Sequence, residues 1–178
     1  MKKLVSLLLV LVILLGLGGC RTGQEGEVYT VIEKVMTAIE TNDFNLINKY
    51  AGNDAICKKL FVVDTNNLTE FAKLKMHRAM RDNMEYSVGE IIVYSDQSAT
   101  AVVKVTMPKT EEIYEKNKEL LTQKKHKEYY RAMEADILAT NETKTTVYTV
   151  NFNYKSYYWM IDYAFIELVY TSMQPEVI

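Results

Sequence analysis

The sequence has few of the residues from which common catalytic and cofactor sites are built. Its 178 residues include two histidines, two cysteines and seven glycines. The two histidines, His77 and His126, lie far apart, and neither His-x-x-x-His nor Cys-x-x-Cys spacing occurs. The glycines form no phosphate-binding loop, and no Gly-x-Ser-x-Gly elbow is present. We therefore expect no metal site and no cofactor.

An excess of positive charge is also missing. The formal net charge is -2 at pH 7, and the densest basic cluster, residues 124–127, lies in a polar stretch rich in glutamate. Nucleic-acid binding depends on clustered Lys and Arg side chains that neutralise phosphates. We therefore expect no nucleic-acid partner, and we interpret this cluster as a solvated helix face.

The N-terminus carries the most specific pattern in the chain. Lys2 and Lys3 precede an apolar run over residues 4–15, and small residues follow at 16–19. Twelve helical residues span about 18 Å, which is too short for the ~30 Å hydrocarbon core of a bilayer. The pattern favours a cleaved signal peptide, residues 1–19, over a permanent transmembrane helix.

The residues Leu17-Gly18-Gly19-Cys20 resemble the lipobox of bacterial lipoprotein signal peptides. The resemblance implies that the Cys20 sulfur is lipidated and that the chain is held at the extracytoplasmic face of the cell membrane. Two or three acyl chains, at about 0.8 kcal/mol per buried methylene, give stable anchoring. The alternative is an ordinary secretory signal with a cysteine near its end. With Cys20 lipidated, Cys57 has no partner for an intramolecular disulfide.

The rest of the chain has the size of a single domain. We assign residues 20–26 to the lipidated cysteine and a short tether, 27–172 to the domain, and 173–178 to a C-terminal tail.

Helical periodicity dominates the first half of that domain. One buried stripe predicts a helix over about 27–40, and Asn42-Asp43 offers a cap for a short second helix over 44–50. Thr69 can cap a third helix that runs to about Asn83, and we expect His77 at its surface. A short strand is predicted over 60–63. The apolar stripe of the first helix consists of Val28, Val31, Ile32, Val35, Ala38 and Ile39.

From Glu85 the apolar period changes to two, which predicts strands. Alternation from Tyr86 to Tyr94, through Val88, Glu90 and Ile92, and a return over 100–107 predict an antiparallel hairpin. Residues 145–154 and a long strand over 157–170 predict a second hairpin. Between the hairpins, 110–139 is a helical insertion, either one helix with a polar centre or two helices. We expect an α+β fold in which N-terminal helices pack on a curved antiparallel sheet.

Three short segments carry a family resemblance. Residues 38–44 (AIETNDF) close the first helix, 86–88 (YSV) open the first long strand, and 159–162 (WMID) lie in the last. With the order of elements, they resemble the cone-shaped, cystatin-like fold of nuclear transport factor two-like proteins, in a lipoprotein branch of Gram-positive bacteria. The resemblance covers most of 27–172 and departs from it at 110–139. It implies a sheet curled around the helices into a cone whose mouth holds a ligand.

The last hairpin carries the candidate site residues. Enzymes of the resembled family use an Asp or His inside the cone, so Asp162 is the candidate general base. The alternation in the last strand does not show whether its buried face is the one with Asp162 or the one with Trp159. Candidate pocket-lining residues are Tyr148, Tyr154, Trp159 and Tyr163. The alternative is that tyrosine simply suits half-buried strands.

Three functions stay open, and we favour the first. It is a non-enzymatic, lipid-anchored domain that binds a small ligand or a protein partner at the cell envelope. The second is a small hydrolase or isomerase with Asp162 as general base. The third is a structural envelope subunit that forms a homodimer through its sheet.

Overall fold

The computed structural model describes residues 23–52 and 66–174, and the predicted α+β fold is confirmed there. Four strands form one antiparallel sheet in the order β1-β2-β3-β4. The predicted signal peptide, Cys20, Cys57 and the short strand over 60–63 lie outside the described residues. The elements are α1 (Gln24–Thr41), α2 (Phe44–Ala51), α3 (Leu68–Asp82), β1 (Glu85–Ser95), β2 (Ser98–Pro108), α4 (Glu111–Thr122), α5 (His126–Ala139), β3 (Thr143–Lys155), β4 (Tyr158–Ile161) and α6 (Tyr163–Ser172).

The first three helices form where the caps and the apolar period predict them. Helix α1 buries all six residues of the predicted stripe and begins at Gln24, a few residues earlier than expected. Asp43 caps α2 by accepting the Leu46 N–H at 3.0 Å. The cap of α3 is Asn67 rather than Thr69, because the Asn67 side chain accepts the N–H groups of the first turn.

The inner face of the sheet is apolar and is covered by helices. Helices α1 and α2 pack against β4, and the ring of Tyr148 in β3 meets Phe165 in α6 edge-on at 5.5 Å. Within the described ranges, no helix is both long enough and apolar enough to cross a bilayer. The buried side chains of β2, β3 and β4 on this face are Ala99, Ala101, Val103, Val105, Met107, Tyr148, Val150, Phe152, Trp159 and Ile161.

A β-bulge in β1 overturns part of the predicted alternation. The pairing of β1 with β2 shifts between Val88 and Ile91, so one extra residue enters the strand. After the shift Ile91 is buried, whereas Ile92 and Tyr94 are exposed on the outer face. The prediction that one period runs unbroken from Tyr86 to Tyr94 is therefore wrong, because a bulge reverses the facing of every later residue.

The predicted long strand over 157–170 is also wrong. Strand β4 ends at Ile161, and α6 begins at Tyr163. Between them, the carboxylate of Asp162 accepts the Ala164 N–H at 3.0 Å and so caps α6. A continuous apolar run fits a buried strand or a buried helix equally well, so periodicity did not distinguish them.

The helical insertion consists of two helices, one of the two alternatives left open. Lys124, in the left-handed conformation with φ 58°, lies in the turn between them. Asn117 of α4 is buried and donates to the Asp136 carboxylate of α5 at 2.8 Å, and Lys116 pairs with the same carboxylate at 2.7 Å. These bonds lower the pKa of Asp136 and hold the pair together. Helix α5 in turn packs on α3.

His77 in α3 is half-buried, so its expected surface position is wrong. Its Nε2 atom is enclosed and has no hydrogen-bond partner. Burial, and then the positive charges of Lys73 and Arg81, lower the pKa of His77 from 6.5 to about 3. The folded domain therefore keeps this imidazole neutral at physiological pH.

This buried imidazole predicts a loss of stability in mild acid. The unfolded chain protonates His77 near pH 6.5, whereas the folded chain does so only near 3, so stability falls as the pH drops through this window. We expect a slope of about 1 kcal/mol per pH unit between about pH 6 and 5, where most carboxylates stay ionised. Urea unfolding at several pH values measures this slope in the wild type and in His77→Gln, and the slope of the variant should be smaller. An equal slope in both proteins would contradict the buried neutral His77.

Candidate functional site: an arginine-lined groove

An open groove of about 580 Å³ lies between the C-terminal end of α1 and the neighbouring side of α3. Its volume falls in the range of small-molecule sites, about 300–1,000 Å³. Helix α1 contributes Glu40 and Thr41, followed by Asn42, which ends the helix in the left-handed conformation with φ 57°. The residues from α3 are Phe71, Leu74, Lys75, Arg78, Arg81 and Asp82.

Arg81 is the unusual member of this lining. It lies in the last turn of α3, yet only 6% of its surface is exposed. Its Nε atom is enclosed and has no hydrogen-bond partner. Burial lowers the pKa of Arg81, while nearby Tyr170 and Asp82 raise it. A guanidinium nevertheless stays cationic at any physiological pH, so the domain holds a buried positive charge here.

Among the described residues, no salt bridge joins Arg81 to a carboxylate, although Asp82 lies near it. Asp82 pairs with Arg78 at 3.4 Å, in an exposed bridge one turn along the same helix. Lys75 adds a third cation on the α3 side, after Arg78 and Arg81, and Glu40 is the acid on the α1 side. The groove therefore has a cationic wall facing one carboxylate. This arrangement suits a ligand that carries an anionic group beside hydrogen-bond donors.

The chemistry of arginine explains what the groove can hold. A guanidinium presents a planar fork of N–H donors that matches a carboxylate or a phosphate. A buried donor without a partner costs about 1–3 kcal/mol, so an anion placed here recovers that cost. Phe71 and Leu74 supply an apolar wall beside the charge. Fixed charge next to apolar surface is typical of small-molecule sites.

Asp162, the candidate general base, is not at this groove. Trp159 and Ile161 are buried, so the face of β4 that carries them is the core face. Asp162 is exposed, and the partner of its carboxylate is the backbone N–H of Ala164. The structure thus gives Asp162 a helix-capping position rather than the buried position that a general base in the cone requires.

Of the four candidate pocket-lining residues, Tyr148, Tyr154 and Trp159 lie on the inner face of the sheet, whereas Tyr163 lies at the start of α6. Tyr148 is buried in the core, and Tyr163 is half-buried at the start of α6. Tyr154 meets the buried Trp159 edge-on at 5.4 Å. Trp159 also lines a small pocket of about 210 Å³ that includes Tyr157. None of the four lines the Arg81 groove.

Sequence reasoning did not identify Arg81. Nine residues separate it from the buried Ala72, so at 100° per residue Arg81 lies on the opposite side of α3. The helical period therefore predicts that Arg81 is exposed. Residues near Arg81 include Asn42 across the groove and Tyr170 of α6, and both are distant from it in sequence.

Two further findings bear on the site. Among residues 23–52 and 66–174, no group of three His, Cys, Asp or Glu side chains is placed to hold a metal ion. Comparisons with protein-family models, with curated proteins and with solved structures gave no significant match to this chain. Its function must therefore be inferred from its own residues and geometry.

Proposed function

We propose that this chain is a lipid-anchored binding domain at the extracytoplasmic face of the bacterial cell membrane, with a cone of the nuclear transport factor two-like type. Its ligand places an anionic group, a carboxylate or a phosphate, against Arg81 in the groove between α1 and α3. The observation that carries the proposal is Arg81 itself, a buried cation at the wall of an open groove with an enclosed N–H that lacks a partner. The cellular location rests on the lipobox-like residues 17–20.

The energetics of Arg81 support a binding role. An uncompensated buried charge costs the folded state several kcal/mol, and neutral residues of similar size at such positions often stabilise proteins. Within residues 23–52 and 66–174, Arg81 has no close ion pair, since the salt bridge of Asp82 is with Arg78. A ligand that binds only the folded state returns stability by mass action. The empty groove therefore lowers the stability of the folded state, and a bound anion raises it.

We expect opposite effects of Arg81→Gln on stability and on anion binding. The variant should melt higher than the wild type in anion-poor buffer, because the buried charge is gone. Inorganic phosphate or succinate should raise the melting temperature of the wild type by a few degrees and that of the variant much less. Differential scanning calorimetry of the domain, begun after Cys20, measures both effects.

Arg78→Gln is the matched control, because Arg78 lines the same groove but is exposed and pairs with Asp82. It should keep the anion response. Arg81→Lys keeps the charge without the planar fork and should respond weakly. The proposal is wrong if Arg81→Gln melts lower than the wild type and responds to anions as strongly.

The proposed lipid anchor has its own test. In a bacterium that processes lipoproteins, the wild type should fractionate with membranes, and Cys20→Ser should appear in the soluble extracytoplasmic fraction. Cys57→Ser, which alters the other cysteine, is the control and should stay with the membrane. Membrane retention of Cys20→Ser would contradict lipidation at Cys20.

The homodimer alternative is favoured by one observation, the open outer face of the sheet. Tyr94 is 65% exposed there and Val147 is 59% exposed. Val147 pairs with Lys104 across β2 and β3, so Val147→Lys would bring like charges together in any face-to-face pair. If the sheet mediates a dimer, light scattering should give a dimer for the wild type and a monomer for Val147→Lys. A wild-type monomer excludes this alternative.

A further inference from the structure

Two hairpin turns lie at one end of the sheet, which we call the hairpin end. The β1–β2 turn comprises residues 95–98, and the β3–β4 turn comprises 155–158. The Tyr154 N–H donates to the Gln97 carbonyl oxygen at 3.0 Å, which joins the two turns. The hairpin end is therefore one continuous surface, formed by β4 and by the ends of β1, β2 and β3 at the two turns.

The first helix also begins at the hairpin end. Trp159 in β4 donates its Nε1–H to the Glu27 carboxylate at 3.2 Å, and Glu27 lies in the first turn of α1. Glu27 and Thr30 line the same small pocket as Tyr157 and Trp159. The chain therefore enters the domain beside the β3–β4 turn.

The length of the tether places this end close to the proposed anchor. Helix α1 begins at Gln24, so residues 21–23 alone separate it from Cys20. At about 3.5 Å per residue, such a segment extends roughly 10–14 Å. Acyl chains on Cys20 would hold the hairpin end within that distance of the headgroups. The C-terminal end of α1 lies about 27 Å further from the anchor along the 18-residue helix.

Tyr157 is the residue of the hairpin end that the fold does not explain. It is 95% exposed, and it adopts the left-handed conformation with φ 72° beside Ser156 with φ 53°. Two-residue turns of this kind favour Asn-Gly, and a bulky side chain there is strained. The side chain adds nothing to the core. A phenol, with an apolar ring and a polar tip, suits the interface between lipid and water.

Among the residues that the structure describes, charge at the hairpin end is balanced, so it does not determine the partner. Three lysines lie there, Lys34 and Lys49 beside the Tyr50 ring and Lys155 in the turn. Acids of the first turn of α1 and of the β1–β2 turn offset them, namely Glu25, Glu27 and Asp96. A contact with lipid would then be driven by burial of aromatic rings rather than by attraction to anionic headgroups.

We infer that the hairpin end rests on the headgroup region of the membrane with the Tyr157 ring inserted, and that this contact fixes the orientation of the domain. The inference rests on the proposed lipid anchor. Helix α1 has 18 residues and so spans about 27 Å, with its first turn at the hairpin end and Glu40 at the Arg81 groove. The membrane contact therefore presents the groove away from the bilayer, toward ligands in the surrounding medium.

Tryptophan reporters test the orientation. The full-length acylated Tyr157→Trp variant is reconstituted in vesicles of phosphatidylcholine and phosphatidylglycerol. Part of the phosphatidylcholine carries bromine near the headgroup end of its acyl chains, where it quenches tryptophan emission. The matched control is Leu138→Trp, because Leu138 is also exposed, at 60%, and lies near the far end of β3. The wild type corrects for Trp159. We expect the emission maximum of the Tyr157→Trp variant to shift to shorter wavelength, and the brominated lipid to quench most of the emission that the new tryptophan adds. The emission that Leu138→Trp adds should not be quenched.

The outcomes separate this inference from the function on which it rests. Flotation with vesicles reports the anchor, and quenching reports the orientation. If the protein floats but both reporters are quenched equally, or neither is quenched, the orientation is wrong and the anchor stands. If the protein does not float, the anchor is wrong and the inference falls with it. Quenching should persist at high salt, and its loss there would overturn a contact driven by aromatic rings.

Discussion

The packing of α1 along the inner face of the sheet is the contact on which the other features depend. Its fully enclosed side chains include Val28, Ile32, Val35 and Ile39, and apolar burial contributes about 25 cal/mol per Å². The same contact positions both ends of the helix. Its first turn is bonded to Trp159 at the hairpin end, and its last turn forms one wall of the Arg81 groove. Helix α1 thus fixes the position of the hairpin end, where the chain enters the domain, relative to the candidate binding site.

Two features that lower stability lie on the proposed functional surfaces of the domain. Arg81 is a buried cation with an enclosed donor, and Tyr157 is an exposed aromatic residue with left-handed backbone. Each lowers stability without improving the packing, and such costs are common at functional sites. They lie at opposite ends of α1, which separates the proposed membrane contact from the proposed ligand site.

Much of the fold was predictable because it depends on local periodicity and capping. The α1 stripe, the Asp43 cap and both hairpins follow from the sequence pattern. The errors have physical causes. The bulge after Val88 reverses a period-two pattern without changing composition, and the apolar run after Ile161 fits strand and helix alike. Asp162, the candidate general base, precedes this apolar run, and an Asp in that position is also a common helix cap.

The sequence by itself determined the α+β class and the order of the elements from α1 to β2, and it carries the pattern behind the proposed lipid address, because these depend on residues close together in the chain. Tertiary structure alone decided that His77 is half-buried with a neutral imidazole, that Arg81 lies beside a groove, and that the chain enters at the hairpin end. Each of these depends on elements distant in sequence: Asn42 and Tyr170 around Arg81, and Glu27 against Trp159. Helical and strand periods describe one element at a time and contain no information about which elements meet.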